Sequence, residues 1–309
     1  MLPPAGSKAS TFGLNTSFAV KRWPEPERWA ALIRSLGVEL VQFSFDLLDP
    51  YWSQSLTGAQ TGRIRRACAA EGLHLDSAFV GLAAYSYNGL LHPEPEARAE
   101  AEAWLKRAVS LGADMGAGAV GGPLGGVSMA GTLTAALKDE VTERLRRVAE
   151  HARQAGLAAL LVEPTPLPRE WPHTPAELSE LLTRTEDMAV PLRVVLDLGH
   201  MLYPPLYREG ATLTPWLEVT GQRLHGLHLQ QTDGVADRHW NFTQPGLVDL
   251  ASVRAEMECH GLESRPAVLE VFYPFEQNDE QVWNDFSAGT ALARQAWSGA
   301  RPSRRDGGT

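Results

Sequence analysis

The sequence predicts a single (β/α)8 barrel, the TIM barrel fold, and three observations lead to that prediction. Apolar runs typical of buried parallel strands alternate with amphipathic segments of helix length through most of the 309 residues. Eight such strand-like runs occur, and each is followed by a helix-like segment. No GxGxxG motif follows the first strand, as it would in a doubly wound dinucleotide-binding sheet. A chain of this length is usual for one barrel.

The predicted strands are short and apolar, and they cover residues 12–15, 40–45, 73–80, 117–122, 158–163, 192–197, 224–230 and 267–271. Several predicted helices begin with Pro, Thr or Asp and several end in Gly, as helix termini commonly do. They cover residues 24–37, 57–72, 93–112, 134–156, 174–185, 214–222, 249–261 and 279–297. We expect the barrel domain to span residues 11–298 and the two ends, 1–10 and 299–309, to be disordered.

The glycine-rich run GAGAVGGPLGG lacks the Lys-Ser/Thr pair of a phosphate-binding loop. It also lacks the context of a dinucleotide-binding motif, because it coincides with a predicted strand rather than following one. We assign it to the fourth strand and its turn, where glycine permits the close approach of backbones.

Composition excludes several classes of protein. Hydrophobic residues make up 44% of the chain, the mean hydropathy is −0.20, and no apolar run approaches the roughly 18 residues of a membrane span. The net charge of −9 and the pI of about 5.5 disfavour a nucleic-acid partner, which needs a basic face. The first ten residues carry no apolar signal region, and Cys68 and Cys259 lack metal-ligand spacing. We therefore expect a cytoplasmic protein with reduced thiols and a small-molecule partner.

Acidic and histidine side chains occur at the ends of four consecutive predicted strands. The fifth strand ends with Glu163, the sixth ends with Asp197, the seventh carries His228 and the eighth carries Glu270. Active sites of such barrels lie at the carboxyl ends of the strands, so we expect all four side chains on one rim. Singly, each is more often a capping carboxylate or a hydrogen-bonded core histidine. Together they predict a metal site, because clustered carboxylates repel one another unless a cation lies between them.

Three carboxylates and one imidazole suit a hard or borderline divalent ion, so we expect Mn²⁺, with Mg²⁺ or Co²⁺ as alternatives. Such an ion acts as a Lewis acid on a carbonyl and makes the adjacent C–H bond removable through a metal-bound enediolate. If Glu163 and Glu270 take and return the proton on opposite faces, the product is an epimer. His200 and Arg238 would then orient and polarise the sugar oxygens.

These motifs resemble the xylose-isomerase-like sugar phosphate isomerase/epimerase family, which includes the D-tagatose and D-allulose 3-epimerases. The resemblance rests on LVEPTP, LDLGHMLY, LHLQQTD with DRHW, LEVFYPF and the helix LHPEPEARAEAEAWLKRAVSLGAD. It implies that the four strand-end residues bind the metal and that Glu163 and Glu270 double as acid and base. It also implies substrate-oxygen ligands at His200 and Arg238 and a homo-oligomer, either a dimer or a tetramer.

The loops PTPLPREWPHT and DRHWNFT are most similar to those of the tetrulose-phosphate epimerases of erythritol catabolism. The expected substrate is therefore a sugar or a sugar phosphate. A phosphate would need a cationic partner, and the candidates by loop position are Arg169, Arg238 and His239. Arg169 is as well explained by an ion pair or by solvent exposure. Trp240 lies beside Arg238 and is a candidate for stacking on a sugar ring.

Other reactions use the same residues, and the sequence leaves them open. Aldose–ketose isomerisation and the dehydration of an inositol-type ketone need the same metal and bases. An endonuclease for abasic DNA sites shares the barrel but needs additional histidines and a basic face, which a net charge of −9 disfavours. A binding barrel without catalysis would require Glu163 and Glu270 to lie too far apart to share an ion.

Overall fold

A computed structural model describes residues 11–298, and the ends expected to be disordered, 1–10 and 299–309, lie outside the described residues. Eight parallel strands form a closed barrel in chain order, and pairing of the first with the last completes it. The strands are β1 (Phe12–Asn15), β2 (Leu40–Ser44), β3 (His74–Phe79), β4 (Ala119–Gly122), β5 (Ala159–Val162), β6 (Leu192–Asp197), β7 (Leu224–Leu229) and β8 (Ala267–Leu269). The predicted fold is confirmed, and the strand ends differ from prediction by at most two residues.

A helix longer than one turn follows each strand in the described part of the chain. These helices are α1 (Pro26–Ser35), α2 (Gln54–Glu71), α3 (Pro95–Met115), α4 (Ala135–Ala155), α5 (Pro175–Arg184), α6 (Thr214–Thr220), α7 (Leu250–Cys259) and α8 (Asp279–Trp297). Single α-helical turns occur at Leu82–Tyr85, Leu198–Met201 and Pro204–Tyr207, and 3₁₀ turns at Thr16–Ala19, Phe45–Leu47, Gly89–Leu91, Arg208–Gly210 and Gly221–Arg223. Between residues 11 and 298, no helix has the length and apolarity needed to cross a membrane.

The helix after β3 is longer than the sequence predicts. The expected end is Gly112, whereas α3 continues to Met115 and ends at Gly116, which has the left-handed φ of 95° that glycine favours. Gly112 instead lies inside the helix, where a Cβ would be only 2.3 Å from Val120 Cγ2. This glycine is therefore explained by the close packing of α3 against β4, and not by a helix end.

Apolar side chains fill the barrel beneath its carboxyl rim. Phe79, Ala119, Ala159, Leu161 and Val195 form a small buried cluster, separate from the larger core between strands and helices. Alternate residues of a strand share a face, so the residues two positions beyond Leu161 and Val195 lie on the same side as this cluster. Those residues are the acids at the ends of the fifth and sixth strands. The apolar cluster thus supports the rim from below.

Candidate metal centre and active site

The structure brings the four predicted metal ligands together at one side of the rim. Asp197 is the last residue of β6 and pairs in register with His228 of β7. Glu163 directly follows β5, and Glu270 directly follows β8. All four residues are buried, with at most 6% of their surface exposed. Water is thus largely excluded from a site that contains three carboxyl groups.

Each of the four residues offers a ligand atom, and these atoms all lie within 4.8 Å of one another. His228 Nδ1 is 2.8 Å from Glu163 Oε1 and 3.1 Å from Glu270 Oε2. The Phe79 ring packs edge-on against the imidazole, with ring centroids 4.7 Å apart. Glu163 and Glu270 are therefore close enough to share an ion. A binding barrel without catalysis would require them to lie too far apart for this, so the geometry does not support that alternative.

Asp197 provides the clearest sign that a cation belongs in this cluster. Its Oδ1 accepts hydrogen bonds from the His200 backbone N–H at 3.0 Å and from Gln230 Nε2 at 2.7 Å. Its Oδ2 is buried and has no hydrogen-bond partner among the residues from 11 to 298. A buried carboxylate oxygen without a partner is unfavourable in free energy, and a bound cation would remove that penalty. The donor set therefore fits a divalent metal ion.

Without metal, the charges of the cluster compensate one another. Burial raises the pKa of Glu163 above its usual value, although His228 opposes this. Burial also raises the pKa of Glu270, but the nearby His228, His239 and His200 lower it by more. The pKa of Glu270 therefore lies below its usual value. Burial alone would lower the pKa of His228, but the Glu270 and Glu163 carboxylates raise it well above its usual value. The imidazolium thus takes the place of a cation between the two glutamates.

His200 lies next to the cluster and faces two acceptors. Its Nδ1 is 3.2 Å from the Pro164 carbonyl oxygen, and its Nε2 is 3.1 Å from Asp237 Oδ2. Burial would lower the pKa of this histidine, but the Asp197 and Asp237 carboxylates raise it well above its usual value. An imidazole that donates at both nitrogens is cationic, so His200 can polarise a substrate oxygen.

His239 approaches the same region from the loop after β7. Its backbone has a φ of 46°, a left-handed conformation that few residues other than glycine adopt and that is enriched at functional sites. Its Nε2 is 3.1 Å from Asp237 Oδ2, and its Nδ1 is 3.7 Å from Glu270 Oε2. Asp197, His200 and His239 also offer ligand atoms within 4.8 Å of one another, so this second group overlaps the first at Asp197.

The structure places the other predicted substrate residues outside the cluster. Arg238 forms a bidentate ion pair with Asp233, from Nε to Oδ1 at 3.1 Å and from Nη2 to Oδ2 at 2.8 Å, and lies 5.1 Å from the centroid of the Trp240 ring. Arg169 is exposed, and its side chain makes no hydrogen bond or ion pair with any residue from 11 to 298. Among the predicted phosphate partners, His239 alone contacts the site in the described part of the chain.

Two acids that the sequence does not single out border the site. Asp237 joins His200 and His239 through one carboxylate oxygen, and the two histidines lower its pKa well below the usual value despite burial. Glu170 accepts a hydrogen bond from the Tyr85 hydroxyl at 3.1 Å, and burial raises its pKa. Asp237 stands two positions before His239 in the polar motif DRHW, and that proximity is the available sequence signal.

Comparison with known proteins identifies relatives of this chain. Residues 30–286 match the family described as the xylose isomerase-like TIM barrel. A structure from Rhodospirillum rubrum, described as a candidate xylose isomerase, is 36% identical, with 94% of this chain and 99% of that chain covered and a TM-score of 0.89. A D-erythrulose 1-phosphate 3-epimerase of Brucella abortus is 28% identical over 200 residues, and the match spans 62% of this chain and 64% of that relative.

More distant structures share the fold. The D-psicose 3-epimerase of Clostridium cellulolyticum, solved with D-tagatose, is 15% identical and has a TM-score of 0.72, with 93% of this chain and 99% of that chain covered. At this identity the likeness concerns the fold alone. Since the family match spans most of the barrel, this chain belongs to the xylose isomerase-like TIM barrel family.

Proposed function

We propose that the protein is a divalent-metal-dependent epimerase of a ketose or ketose phosphate. The observation that carries this proposal is the four-residue cluster, whose ligand atoms lie within 4.8 Å of one another and include the unpaired Asp197 Oδ2. The D-erythrulose 1-phosphate 3-epimerase relative supports the reaction class and a phosphorylated substrate. We propose Mn²⁺ as the ion, with Mg²⁺ and Co²⁺ as alternatives, in a cytoplasmic homo-oligomer.

The residues of the cluster would hold the ion and move the proton. A divalent ion supplies Lewis acidity, which weakens the C–H bond beside a carbonyl group. Glu163 and Glu270 directly follow strands that are three positions apart in the barrel, and both lie beside His228 Nδ1, at 2.8 and 3.1 Å. One carboxylate takes the C3 proton and the other returns a proton from the opposite face, so the configuration at C3 inverts.

Two neighbouring groups would position the sugar. The His200 imidazolium would donate its Nε2–H to a substrate oxygen in place of Asp237 Oδ2, its partner in the structure, and so stabilise negative charge that develops there. His239, with an Nδ1 that lacks a hydrogen-bond partner in the described chain, is the second candidate. Arg238 would bind a phosphate only after exchanging its ion pair with Asp233 for one with the substrate.

Metal removal and reconstitution test this proposal. The protein is stripped with a chelator and supplied in turn with Mn²⁺, Mg²⁺ and Co²⁺, and the C3 epimer is measured for erythrulose 1-phosphate, free erythrulose and free fructose. We expect activity only with metal and a preference for one of the three substrates. Full activity of the stripped protein, or no product with any pair of metal and substrate, would contradict the proposal.

Aldose–ketose isomerisation is the second candidate function, favoured by the 36% identity to the candidate xylose isomerase. Here the proton would move between C1 and C2 instead of leaving and returning at C3. The assay above separates the two reactions on free erythrulose and free fructose, because an isomerase converts these ketoses to aldoses and leaves the C3 configuration unchanged. Erythrulose 1-phosphate cannot give an aldose in this way, because its C1 oxygen is esterified.

A further inference from the structure

Three strands that provide no metal ligand form a polar layer against the cluster. Asn15 ends β1, Gln42 lies in β2 and Ser77 lies in β3, and each is at most 1% exposed. Buried polar side chains persist when every donor and acceptor has a partner. Each of these residues has such partners, and the resulting chain of hydrogen bonds reaches two of the proposed ligands.

A backbone group sets the direction of this chain. The Ser17 N–H donates to Asn15 Oδ1 at 2.8 Å, so the Asn15 amide nitrogen must face the other way. That nitrogen donates to Gln42 Oε1 at 2.7 Å and to Glu270 Oε1 at 3.0 Å. Because a peptide N–H can only donate, the orientation of Asn15 is fixed by the backbone.

The same logic fixes Gln42 and then His228. Asn15 Nδ2 can only donate, so the Gln42 atom that it contacts must be Oε1. Gln42 Nε2 then donates to Ser77 Oγ at 3.2 Å, and Gln42 Oε1 is also 2.7 Å from His228 Nε2. An amide oxygen can only accept, so His228 must carry a proton on Nε2. The lone pair of the neutral imidazole is then on Nδ1, the nitrogen that faces Glu163 and Glu270.

We propose that Gln42 is a positioning residue for the metal: its amide oxygen selects the Nε2–H tautomer of His228 and thereby directs Nδ1 at the ion. Asn15 holds that oxygen in place and joins it to Glu270, so two ligands from different strands are oriented together. A hydrogen bond to the remote nitrogen of a ligating histidine fixes the ring and increases its basicity. The inference rests on the proposed function only in requiring an ion at the four-residue cluster.

Metal affinity tests this role without relying on turnover. Gln42→Leu removes the acceptor at nearly the same volume, whereas Gln42→Glu keeps an oxygen acceptor at that position. We expect Gln42→Leu to lower the affinity for Co²⁺ by about 10–100-fold, as loss of such a partner typically does. Gln42→Glu should restore most of the affinity. If Gln42→Leu does not fold, Gln42→Met gives the same test, because its sulfur accepts only weakly.

A spectroscopic readout separates positioning from a general packing defect. In the Co²⁺-loaded wild type, the His228 Nε2–H should appear as a shifted, slowly exchanging proton in the ¹H NMR spectrum. In Gln42→Leu we expect rapid exchange to remove that signal, and in Gln42→Glu we expect it to persist. Unchanged affinity and an unchanged signal in Gln42→Leu would overturn the inference. Failure of the wild type to bind Co²⁺ would instead contradict the proposed function.

Discussion

Asp197 shows how one residue at a strand end indicates function. It ends an apolar strand of the barrel, and its side chain is fully buried. One of its carboxylate oxygens nevertheless lacks a hydrogen-bond partner in the described chain. Such a group destabilises the metal-free protein and attracts a cation. Asp197 therefore links a cost in folding free energy to the proposed metal binding.

Replacement of Asp197 by Asn should separate stability from metal binding. An amide can still accept from the His200 N–H and Gln230 with its oxygen, and it removes one of the buried carboxylates. Without metal, we expect the melting temperature of Asp197→Asn to equal or exceed that of the wild type. Added Mn²⁺ should raise the melting temperature of the wild type but not of the variant, as measured by calorimetry. An equal rise in both proteins would argue against Asp197 as a ligand.

Arg238 allows a test of phosphate recognition at a single residue. Its guanidinium is held by Asp233 in the structure, so its predicted role requires that the substrate phosphate replace that carboxylate. We expect Arg238→Ala to raise the KM for a phosphorylated ketose about tenfold or more, and to affect the free sugar far less. Steady-state kinetics on both sugars measures the difference. Equal effects on the two KM values would assign Arg238 to loop structure or to the sugar oxygens.

The sequence predicts where a residue lies best when secondary structure fixes its position. The four proposed ligands follow from the rule that chemistry lies at strand ends. Asn15 ends β1 and Gln42 lies in the middle of β2, and neither is predicted from the sequence, because a strand amide carries no obvious chemical signal. Asp237 and Glu170 could not be placed, since their positions depend on loop conformations with no periodic pattern. The φ of 46° at His239 is one such feature.

At the scale of elements, glycines in β4 illustrate a correct prediction with a physical basis. The sequence assigns its glycine-rich run to a strand and its turn, where backbones approach closely. In the structure, a Cβ on Gly121 would lie 2.0 Å from the Leu161 carbonyl oxygen of β5. The predicted helix end at Gly112 is wrong, because a glycine at a helix end and a glycine at a packing contact look alike in a sequence.

Two glycine substitutions distinguish a glycine required by close packing from one that only lowers helix propensity. Gly121→Ala should lower the free energy of unfolding by about 1–3 kcal/mol, because a backbone atom cannot move aside as a flexible side chain can. Gly58→Ala lies in the exposed part of α2, with no atom within 4 Å of the added Cβ. It should raise the free energy of unfolding by about 0.5–1 kcal/mol. Urea unfolding measures both, and a neutral Gly121→Ala would contradict the close contact.

An ion cluster around the buried Glu102 joins α3 to α4. Glu102 accepts from Lys106 at 2.8 Å, Arg144 at 2.9 Å and Arg147 at 2.7 Å, and its side chain is 9% exposed. Hydrogen bonds from Arg147 and Lys106 lower the pKa of Glu102 to about 2, against the opposing effect of burial. Because the folded pKa lies below the unfolded value, this contribution to stability is complete at neutral pH and decreases as the pH falls toward 2.

Glu102→Gln should therefore destabilise the protein in a pH-dependent way. At pH 7 we expect a loss of about 1.5–3 kcal/mol in the free energy of unfolding, typical of hydrogen bonds to charged groups. Below pH 4 the difference from the wild type should shrink. The matched control is Glu150→Gln, which breaks the exposed pair with Arg153 and should have no measurable effect. A difference at Glu102 that is constant from pH 7 to pH 3 would contradict the charge-based explanation.

At the scale of the molecule, the number and order of the strands determine which residues meet at the site. Eight strands in chain order close only when β1 pairs with β8, and this closure brings Asn15 of the first strand next to Glu270 after the last. Local patterns predict each strand, but the contact between residues 255 positions apart follows from closure alone. The barrel could therefore be predicted from the sequence, whereas the hydrogen-bond network across its ends could not.

Deuterium exchange tests most directly whether this barrel inverts a sugar at C3. The metal-loaded protein is incubated with erythrulose 1-phosphate in D₂O, and NMR follows the position that acquires deuterium in the wild type, Glu163→Gln and Glu270→Gln. We predict metal-dependent deuterium at C3 in the wild type, and in each folded variant a loss of epimerisation, because each lacks one of the two bases. Exchange at C1 alone, or undiminished epimerisation in either variant, would contradict the two-glutamate mechanism.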